Sequence, residues 1–337
     1  MTGAGAPGAA GIISCLKVDP SITLTVADAD ASAVGGLLNP DFVQIPLATD
    51  PGFTEALFNL CIRKNIRLVM PLVTKELLPL SQNIDRFQEA GTIVMVSSSN
   101  AITIANNKAN CYRFLEKAGI ELPRFFIANN IEEFMHAAFE LGHPQKQFVF
   151  KPSESNGSRG VRIVCDSLDE SDQLFHQKPY NLNISYAHAL HILSSKPFPQ
   201  LLLSEFLPGD EYAVDCLANK GRMVLAVPRL RQKTINGISV QGTFVHDEQV
   251  IDYCRRIIEA IGLHGNIGIQ VRYSSEGRPL LLEINPRVQG TIVAAMGAGI
   301  NLPLLAVKQE LGLPVLPEET EIRWGTRFLR HWTEVYY

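Results

Sequence analysis

The sequence has no run of about 18 apolar residues, the length at which a helix begins to be able to cross a bilayer. Nor does a basic stretch followed by an apolar one precede a small-residue cleavage site, so the chain reads as cytoplasmic, with no membrane partner. Its six cysteines (Cys15, Cys61, Cys111, Cys165, Cys216 and Cys254) are scattered, without a Cys-x-x-Cys pair. That spacing argues against a disulfide scaffold and suits reduced thiols in the cytosol. Positive charge is not in surplus: the net charge is −4, which argues against a nucleic-acid or anionic-membrane surface. Internal repeats are missing, and the only low-complexity tract is the small-residue opening at residues 2–11. What remains is an ordinary globular composition, 46% hydrophobic over 337 residues, enough for two or three units with sizeable cores.

Residues 1–98 alternate helix and strand signals. Helices are expected over 9–17, 54–64 and 76–90, and strands over 22–27, 66–71 and 92–96, the βα alternation of a parallel, Rossmann-like sheet. Gly3, Gly5 and Gly8 match G-x-G-x-x-G, and Asp28 lies about 20 residues further on, as a dinucleotide fingerprint requires. The fingerprint also needs a strand leading into the glycines, and only Met1 precedes Thr2. Two readings stay open: an NAD(P)-dependent oxidoreductase site, or a Rossmann-like scaffold with a tight first turn.

Beyond it, Asn107 is placed to cap a helix that carries Lys108 in its first turn and stops at Gly119. A cation there is not favoured by the helix dipole, which hints at an anionic partner, although a surface lysine fits as well. A hairpin follows, with strands at 147–152 and 161–164 and a small, polar tip between them. That tip includes Ser155, Gly157, Ser158 and Gly160, so its backbone N–H groups can wrap phosphate oxygens that Lys151 also reaches. The alternative is a solvent loop. No Walker A sequence occurs anywhere.

The stretch Leu201 to Gly209 reads as a buried strand running into a turn. Its end suits an adenine slot, with backbone groups near Phe206 and Leu207 for the base edge and Glu205 for the exocyclic amine; an ordinary strand exit would look the same. A second hairpin, turning at Asn219-Lys220-Gly221, puts Glu211 and Asp215 on one face and Arg229 and Arg231 on one face. Those arginines could clamp a carboxylate or only pair with Glu211 and Asp215. The polar stretch 232–242 after them is expected to be a substrate-contacting loop.

The most informative stretch is Leu280-Leu281-Leu282-Glu283-Ile284-Asn285-Pro286-Arg287. Strand alternation puts Leu280, Leu282 and Ile284 on a packed face and Glu283 and Asn285 on the other. A carboxylate and a carboxamide roughly 7 Å apart along a strand suit a hard divalent cation, and Arg287 places a fixed charge just beyond them. If Glu276-Gly277 is a two-residue turn, counting outwards pairs Gln270 with Glu283 on the same face, giving a third oxygen ligand. A small-residue helix is then expected over 291–299.

In this order the motifs resemble the ATP-grasp superfamily, in particular the carbamoyl phosphate synthase-like carboxylate–amine ligases. The residues that carry the resemblance are Asn107-Lys108, Lys151-Pro152 with 155–161, Glu205-Phe206-Leu207-Pro208-Gly209-Asp210-Glu211-Tyr212, Gln270 and Glu283-Ile284-Asn285-Pro286-Arg287. The resemblance implies a mixed α/β and α+β chain: a Rossmann-like pre-ATP-grasp domain over 1–98, then a two-lobed ATP-grasp fold over 99–337. Within the latter, a phosphate-loop lid would occupy about 125–203 and a metal-binding part about 204–337. It further implies an ADP-forming ligase that activates a carboxylate as an acyl phosphate for attack by an amine.

By position, Lys108, Lys151, Ser155, Gly157, Ser158, Gly160 and Val161 would hold the phosphates of ATP. Glu205, Phe206 and Leu207 would read adenine, and Glu211 the ribose. Gln270, Glu283 and Asn285 would bind magnesium or manganese, and Arg287 would stabilise the transferred phosphoryl group. Arg229, Arg231, Arg287 and Gly290 would line the substrate site. Gly290 departs from the pattern, because carbamoyl phosphate synthases carry an arginine there, and Gln270 is neutral at a position that is often acidic. With a length too short for a duplicated synthetase, this points away from carbamoyl phosphate synthesis itself. An ATP-binding regulatory protein without turnover is a third reading; small-molecule substrates and a homodimer are the expected partners.

Overall fold

The computed structural model describes residues 1–155, 157, 159–176 and 182–337. No strand leads into the glycine-rich opening among the described residues; a single parallel bridge stands in its place. Residues 1–4 run between β1 (Val26–Asp28) and β3 (Leu68–Val69). Thr2 bridges Ala27 in parallel, its N–H donates to Met70 O at 3.1 Å, and Ala27 N–H donates to Met1 O at 2.9 Å. β1 also pairs in parallel with β2 (Phe42–Gln44), and β3 with β4 (Ile93–Val94). The helices around them are α1 (Ala9–Lys17), α2 (Val34–Leu38), α3 (Phe53–Lys64), α4 (Thr74–Ser81) and α5 (Ile84–Glu89). The single helix expected over 76–90 is thus two, because Asn83 Nδ2 takes the carbonyl of Pro79 at 2.9 Å and closes the first helix there.

After α6 (Ser99–Asn106) and α7 (Lys108–Lys117) the chain builds a five-stranded sheet in the order β5-β9-β6-β7-β8. Its strands are β5 (Phe125–Ala128), β6 (Phe148–Pro152), β7 (Arg162–Val164), β8 (Asn183–Ile184) and β9 (Leu201–Glu205). The helices of this lobe are α8 (Ile131–Glu140), α9 (Glu170–His176) and α10 (Tyr186–Ser194). Phe134 on α8 and Ala189 on α10 join Phe148, Phe150 and Leu203 in one apolar cluster. Ser185 caps α10 by accepting from His188 N–H, as its position at the head of the helix suggests.

A six-stranded antiparallel sheet follows, ordered β14-β13-β10-β11-β12-β15. It comprises β10 (Glu211–Asn219), β11 (Arg222–Ile235), β12 (Ile238–Phe244), β13 (Gly265–Tyr273), β14 (Pro279–Asn285) and β15 (Arg327–Leu329). On one face lies α11 (Glu248–Ile261), capped by Asp247 and stopped at Gly262, whose φ of 78° is the left-handed turn glycine takes without strain. Val250, Tyr253, Cys254, Ile257, Ile258 and Ile261 recur at helical spacing and pack with Tyr112, Val214, Ile269 and Leu281 into the largest core.

A second core joins the two ends of the chain. Ile12 and Leu16 of α1 pack with Val288, Ile292, Ala295 and, on α12 (Leu302–Leu311), Leu305. The helix expected over 291–299 winds as a 3-10 helix, Ile292–Ala298, ended by Gly299 at φ 94°. It is pressed hard on α1: a Cβ added at Gly11 would lie 2.8 Å from Val293. The stretch 232–242 is not a loop either. β11 runs on to Ile235 and returns as β12 through Asn236 and Gly237, both at positive φ (50° and 75°), the two-residue hairpin turn that Asn-Gly favours.

The β13–β14 hairpin holds a further correction. Gln270 does pair with Glu283 and Gly268 with Asn285, but Val271 pairs with Leu281, so Leu282 is a bulge. The turn spans residues 274–278, with Gly277 N–H bonded to Ser274 O at 3.1 Å, rather than a tight two-residue turn. The wider turn and the extra residue offset each other, which is why the count reached the right pair. The packed face changes accordingly: Leu281 and Ile284 enter the core, and Leu282 lines the cleft instead.

Candidate active site

A cleft of about 820 Å³ opens between the five- and six-stranded sheets. From the first it takes Lys151, Gly157, Gly160 and Val161; from the connection after β9 it takes Phe206 and Leu207; from the second it takes Glu211, Gln270 and Glu283. Glu205 lines it too, although its Oε1 accepts from Arg124 N–H at 2.7 Å and is partly committed to the hinge. Residues from seven strands, β6, β7, β9, β10, β11, β13 and β14, therefore converge on one space. Ser158 lies outside the described residues.

Two lysines lie beside the loop that follows β6. Lys151 Nζ donates to Leu282 O at 2.6 Å and sits 5.5 Å from the centre of the Tyr112 ring. The bulge frees that carbonyl from the strand ladder, and Tyr112 is itself fixed through its hydroxyl to Leu281 O. Burial lowers the Lys151 ammonium to about 8, even though Glu283 pulls it up. Lys108, at the first position of α7, does not line the cleft. Its Nζ donates to Ser155 O at 2.8 Å, its N–H to Ser153 O at 2.8 Å, and Asn107 Nδ2 to Glu154 Oε1 at 3.0 Å. The head of α7 thus grips the start of the loop that follows β6, and burial lowers the Lys108 pKa against the pull of Glu283. Gly157 and Gly160 adopt φ of 63° and 75°, and a Cβ at Gly160 would meet Pro152 at 2.6 Å, so this loop needs both glycines.

Glu283, Asn285 and Arg287 form a chain of contacts at the end of β14. Asn285 Nδ2 donates to Glu283 Oε1 at 3.1 Å, and Arg287 Nη2 approaches Asn285 Oδ1 at 3.4 Å. Arg287 Nε reaches out of the lobe to Thr74 Oγ1 on α4 at 2.9 Å, and burial lowers its pKa. Among the described residues no three His, Cys, Asp or Glu side chains gather as a metal cluster. The donor set is instead one carboxylate with two carboxamides, Gln270 among them, which suits a hard cation that completes its shell with nucleotide oxygens and water.

The proposed arginine clamp separates into two different arrangements. Arg229, 1% exposed, faces Asp215 at 3.3 Å and donates to Thr291 O at 3.2 Å. Burial pushes the Asp215 carboxyl up and the guanidinium down. Sealed under the sheet, Arg229 cannot reach a substrate carboxylate in this structure. Arg231 does line the cleft, but its fork pairs with Glu211 and Gln270. Gly290 is likewise closed: a Cβ there would lie 2.1 Å from Pro7 O, and one at Gly8 2.4 Å from Gly290 O.

This contact also disposes of the dinucleotide site. The space before α1 that would hold a pyrophosphate is filled by residue 290. Both oxygens of Asp28 are spent on the turn, Oδ2 accepting from Gly5 N–H at 2.7 Å and Oδ1 from Asp30 N–H at 2.9 Å.

Sequence reasoning missed Thr74, Tyr112 and Arg272; the hairpin tip at 234–237, which lines the cleft, falls within the stretch 232–242 expected to contact substrate. Arg272 follows Gln270 by two residues and was accessible by strand alternation; its guanidinium stands 5.5 Å from the Phe206 ring centre. Asn236-Gly237 was accessible as a turn signal. Thr74 carries no such mark, since it comes from the other end of the chain.

Two family profiles match. Residues 12–95 fit one described as the PylC-like N-terminal domain, and residues 197–330 one described as an ATP-grasp in the biosynthetic pathway with Ter operon. The carbamoyl phosphate synthase large chain of Methanothrix thermoacetophila is 29% identical over 259 residues, 71% of this chain but only 22% of that protein. That of Archaeoglobus fulgidus is 25% identical over 67% of this chain and 20% of its own length. The chain therefore spans about a fifth of these curated relatives. Among solved structures, an ADP complex of N5-carboxyaminoimidazole ribonucleotide synthetase superposes with a TM-score of 0.71 at 13% identity, covering 96% of this chain and 78% of that one. The biotin carboxylase of Campylobacter jejuni, solved with an ATP analogue, gives 0.67 at 14% identity, covering 94% and 72%. At such identities the likeness speaks for the fold.

Proposed function

We propose, from the premise that this chain belongs to the ATP-grasp superfamily, that it is an ADP-forming ligase joining a small carboxylate to an amine. The observation that carries the reading is the convergence of Lys151, Glu211, Gln270 and Glu283 on the cleft between the two sheets, with Gly157, Gly160 and Val161 lining the same space. Phe206, Leu207 and the backbone beside Glu205 would seat adenine, and Glu211 the ribose. We place the boundary of the N-terminal unit near residue 98, before α6, whose Ala101 and Ala105 belong to the core of the six-stranded sheet.

Gln270, Glu283 and Asn285 would hold magnesium, whose charge would draw the β- and γ-phosphates into line. An oxygen of the substrate carboxylate attacks the γ-phosphorus, and the bond to ADP breaks. The amine nitrogen then attacks the acyl carbon, phosphate leaves, and one proton is lost from nitrogen. Lys151 supplies a cation at the phosphates, and Arg287, already oriented by Asn285 and Thr74, supplies one where charge gathers on the transferred group. A regulatory protein that binds ATP without turnover would share the fold but has no need of Glu283, Asn285 and Arg287 together. A homodimer is the default assembly.

The test is an ADP-release screen of the purified chain across amino acids, dipeptides and small acids paired with amines, with mass detection of products. Carboxylate-dependent ADP release is expected, and Glu283→Gln should lower it by about 100-fold or more while leaving the melting temperature nearly unchanged. Wild-type turnover in Glu283→Gln would show that the metal is held elsewhere.

A further inference from the structure

Arg231 has a role to account for once it is no longer a substrate clamp. Its side chain is only 6% exposed although it lines the cleft. All three of its nitrogens are engaged, each toward a different element. Nη1 pairs with Glu211 on β10 and donates to Gln270 Oε1 on β13 at 3.2 Å. Nε donates to Ser239 Oγ on β12 at 3.1 Å, and Nη2 to the carbonyl of Gly237 at the hairpin tip at 2.6 Å.

One of these contacts is to Glu211, the residue proposed above to hold the ribose. Glu211 is a flexible acid, 23% exposed, and an unpaired carboxylate there would repel a polyphosphate ligand. The guanidinium removes both problems. It neutralises the charge and fixes Oε1, leaving Oε2 without a protein partner among the described residues. The same fork draws Gly237 down, so that Thr234, Ile235 and Asn236 form a wall of the cleft. A lysine could not reproduce this, because four acceptors in fixed directions need a planar, multi-donor group.

We propose that Arg231 is a positioning residue for nucleotide recognition: it sets Glu211 to accept from a vicinal diol and holds the β11–β12 hairpin over the sugar. The proposal rests on the reading of the cleft as an ATP site and deepens it. It differs from the earlier expectation in that Arg231 acts through Glu211 and never touches the carboxylate substrate.

The experiment is calorimetric titration of the full chain with MgATP and with the magnesium complex of 2′,3′-dideoxyATP, for wild type, Arg231→Met and Arg231→Lys. Wild type is expected to bind ATP roughly tenfold more tightly than the dideoxy analogue, the worth of a hydrogen bond to a charged acceptor. In Arg231→Met that preference should fall to within about twofold, mostly through weaker ATP binding. Arg231→Lys, which keeps the charge, should lose most of it too, and serves if the methionine variant does not fold. A variant that keeps the tenfold preference, or that loses affinity equally for both nucleotides, overturns the proposal, since general damage to the fold cannot single out the sugar hydroxyls. A wild type that binds no MgATP overturns the ATP reading itself.

Discussion

Burial holds the Lys151 ammonium at about 8, against an ordinary 10.5, and the pull of Glu283 does not restore it. A lysine lowered this far is half discharged at pH 8, so its grip on phosphate weakens as pH rises through that value. MgATP affinity should fall by about tenfold between pH 7 and 9, and Lys151→Arg, which stays charged, should flatten the profile; titration calorimetry at the two pH values measures both. The same residue costs stability, because its folded pKa lies below its unfolded one. The penalty, about 3 kcal/mol, is present in full below pH 8 and fades as pH climbs towards 10.5. Lys151→Met should therefore raise the melting temperature at pH 7 while abolishing MgATP binding. At this scale the sequence was most legible. Lys151, Glu211, Gln270 and Glu283 were marked by type and spacing, and all four line one cleft. Arg229 was not, since alternation gives the face of a strand and cannot tell an open part of that face from a covered one.

Among the elements, long amphipathic helices were legible and short or tertiary-dependent pieces were not. α11 announces itself through Asp247, an apolar stripe and Gly262. The division of α4 from α5 depends on one side-chain bond from Asn83, and the bulge at Leu282 depends on the turn before it. α4 also carries an acid with a measurable signature. Glu76 is buried and accepts from Thr2 Oγ1 at 2.6 Å, and burial raises its carboxyl to about 7. An acid whose folded pKa exceeds its unfolded value binds its proton more tightly when folded, so stability declines as pH rises from about 4.5 through 7. Above that range the loss is about 3 kcal/mol. Glu76→Gln should raise the melting temperature at pH 8 and change it little at pH 4.5; an equal shift at both would place the cause in packing rather than charge.

At the scale of the whole molecule, the ends of the chain meet beside the proposed chemistry. Thr74 steadies Arg287, α1 lies on the 3-10 helix, and Gly8 faces Gly290 with no space for a Cβ on either. None of this was legible, because periodicity and turn signals are local and this junction joins residues more than 200 positions apart. Gly290→Ala should force the N-terminal unit away from the strand exit. Loss of about 1–3 kcal/mol of stability and a large fall in turnover are expected, with MgATP binding nearly retained because the nucleotide cleft is elsewhere; chemical denaturation and ADP release report on each. The glycine pair also bears on how such a chain can be rearranged. A crossover near residue 98 that imports a different N-terminal unit succeeds only if the donor is equally bare at the position of Gly8. The two sites, distant in sequence, are heritable as one character, and a substitution at either is viable only after the facing backbone has withdrawn.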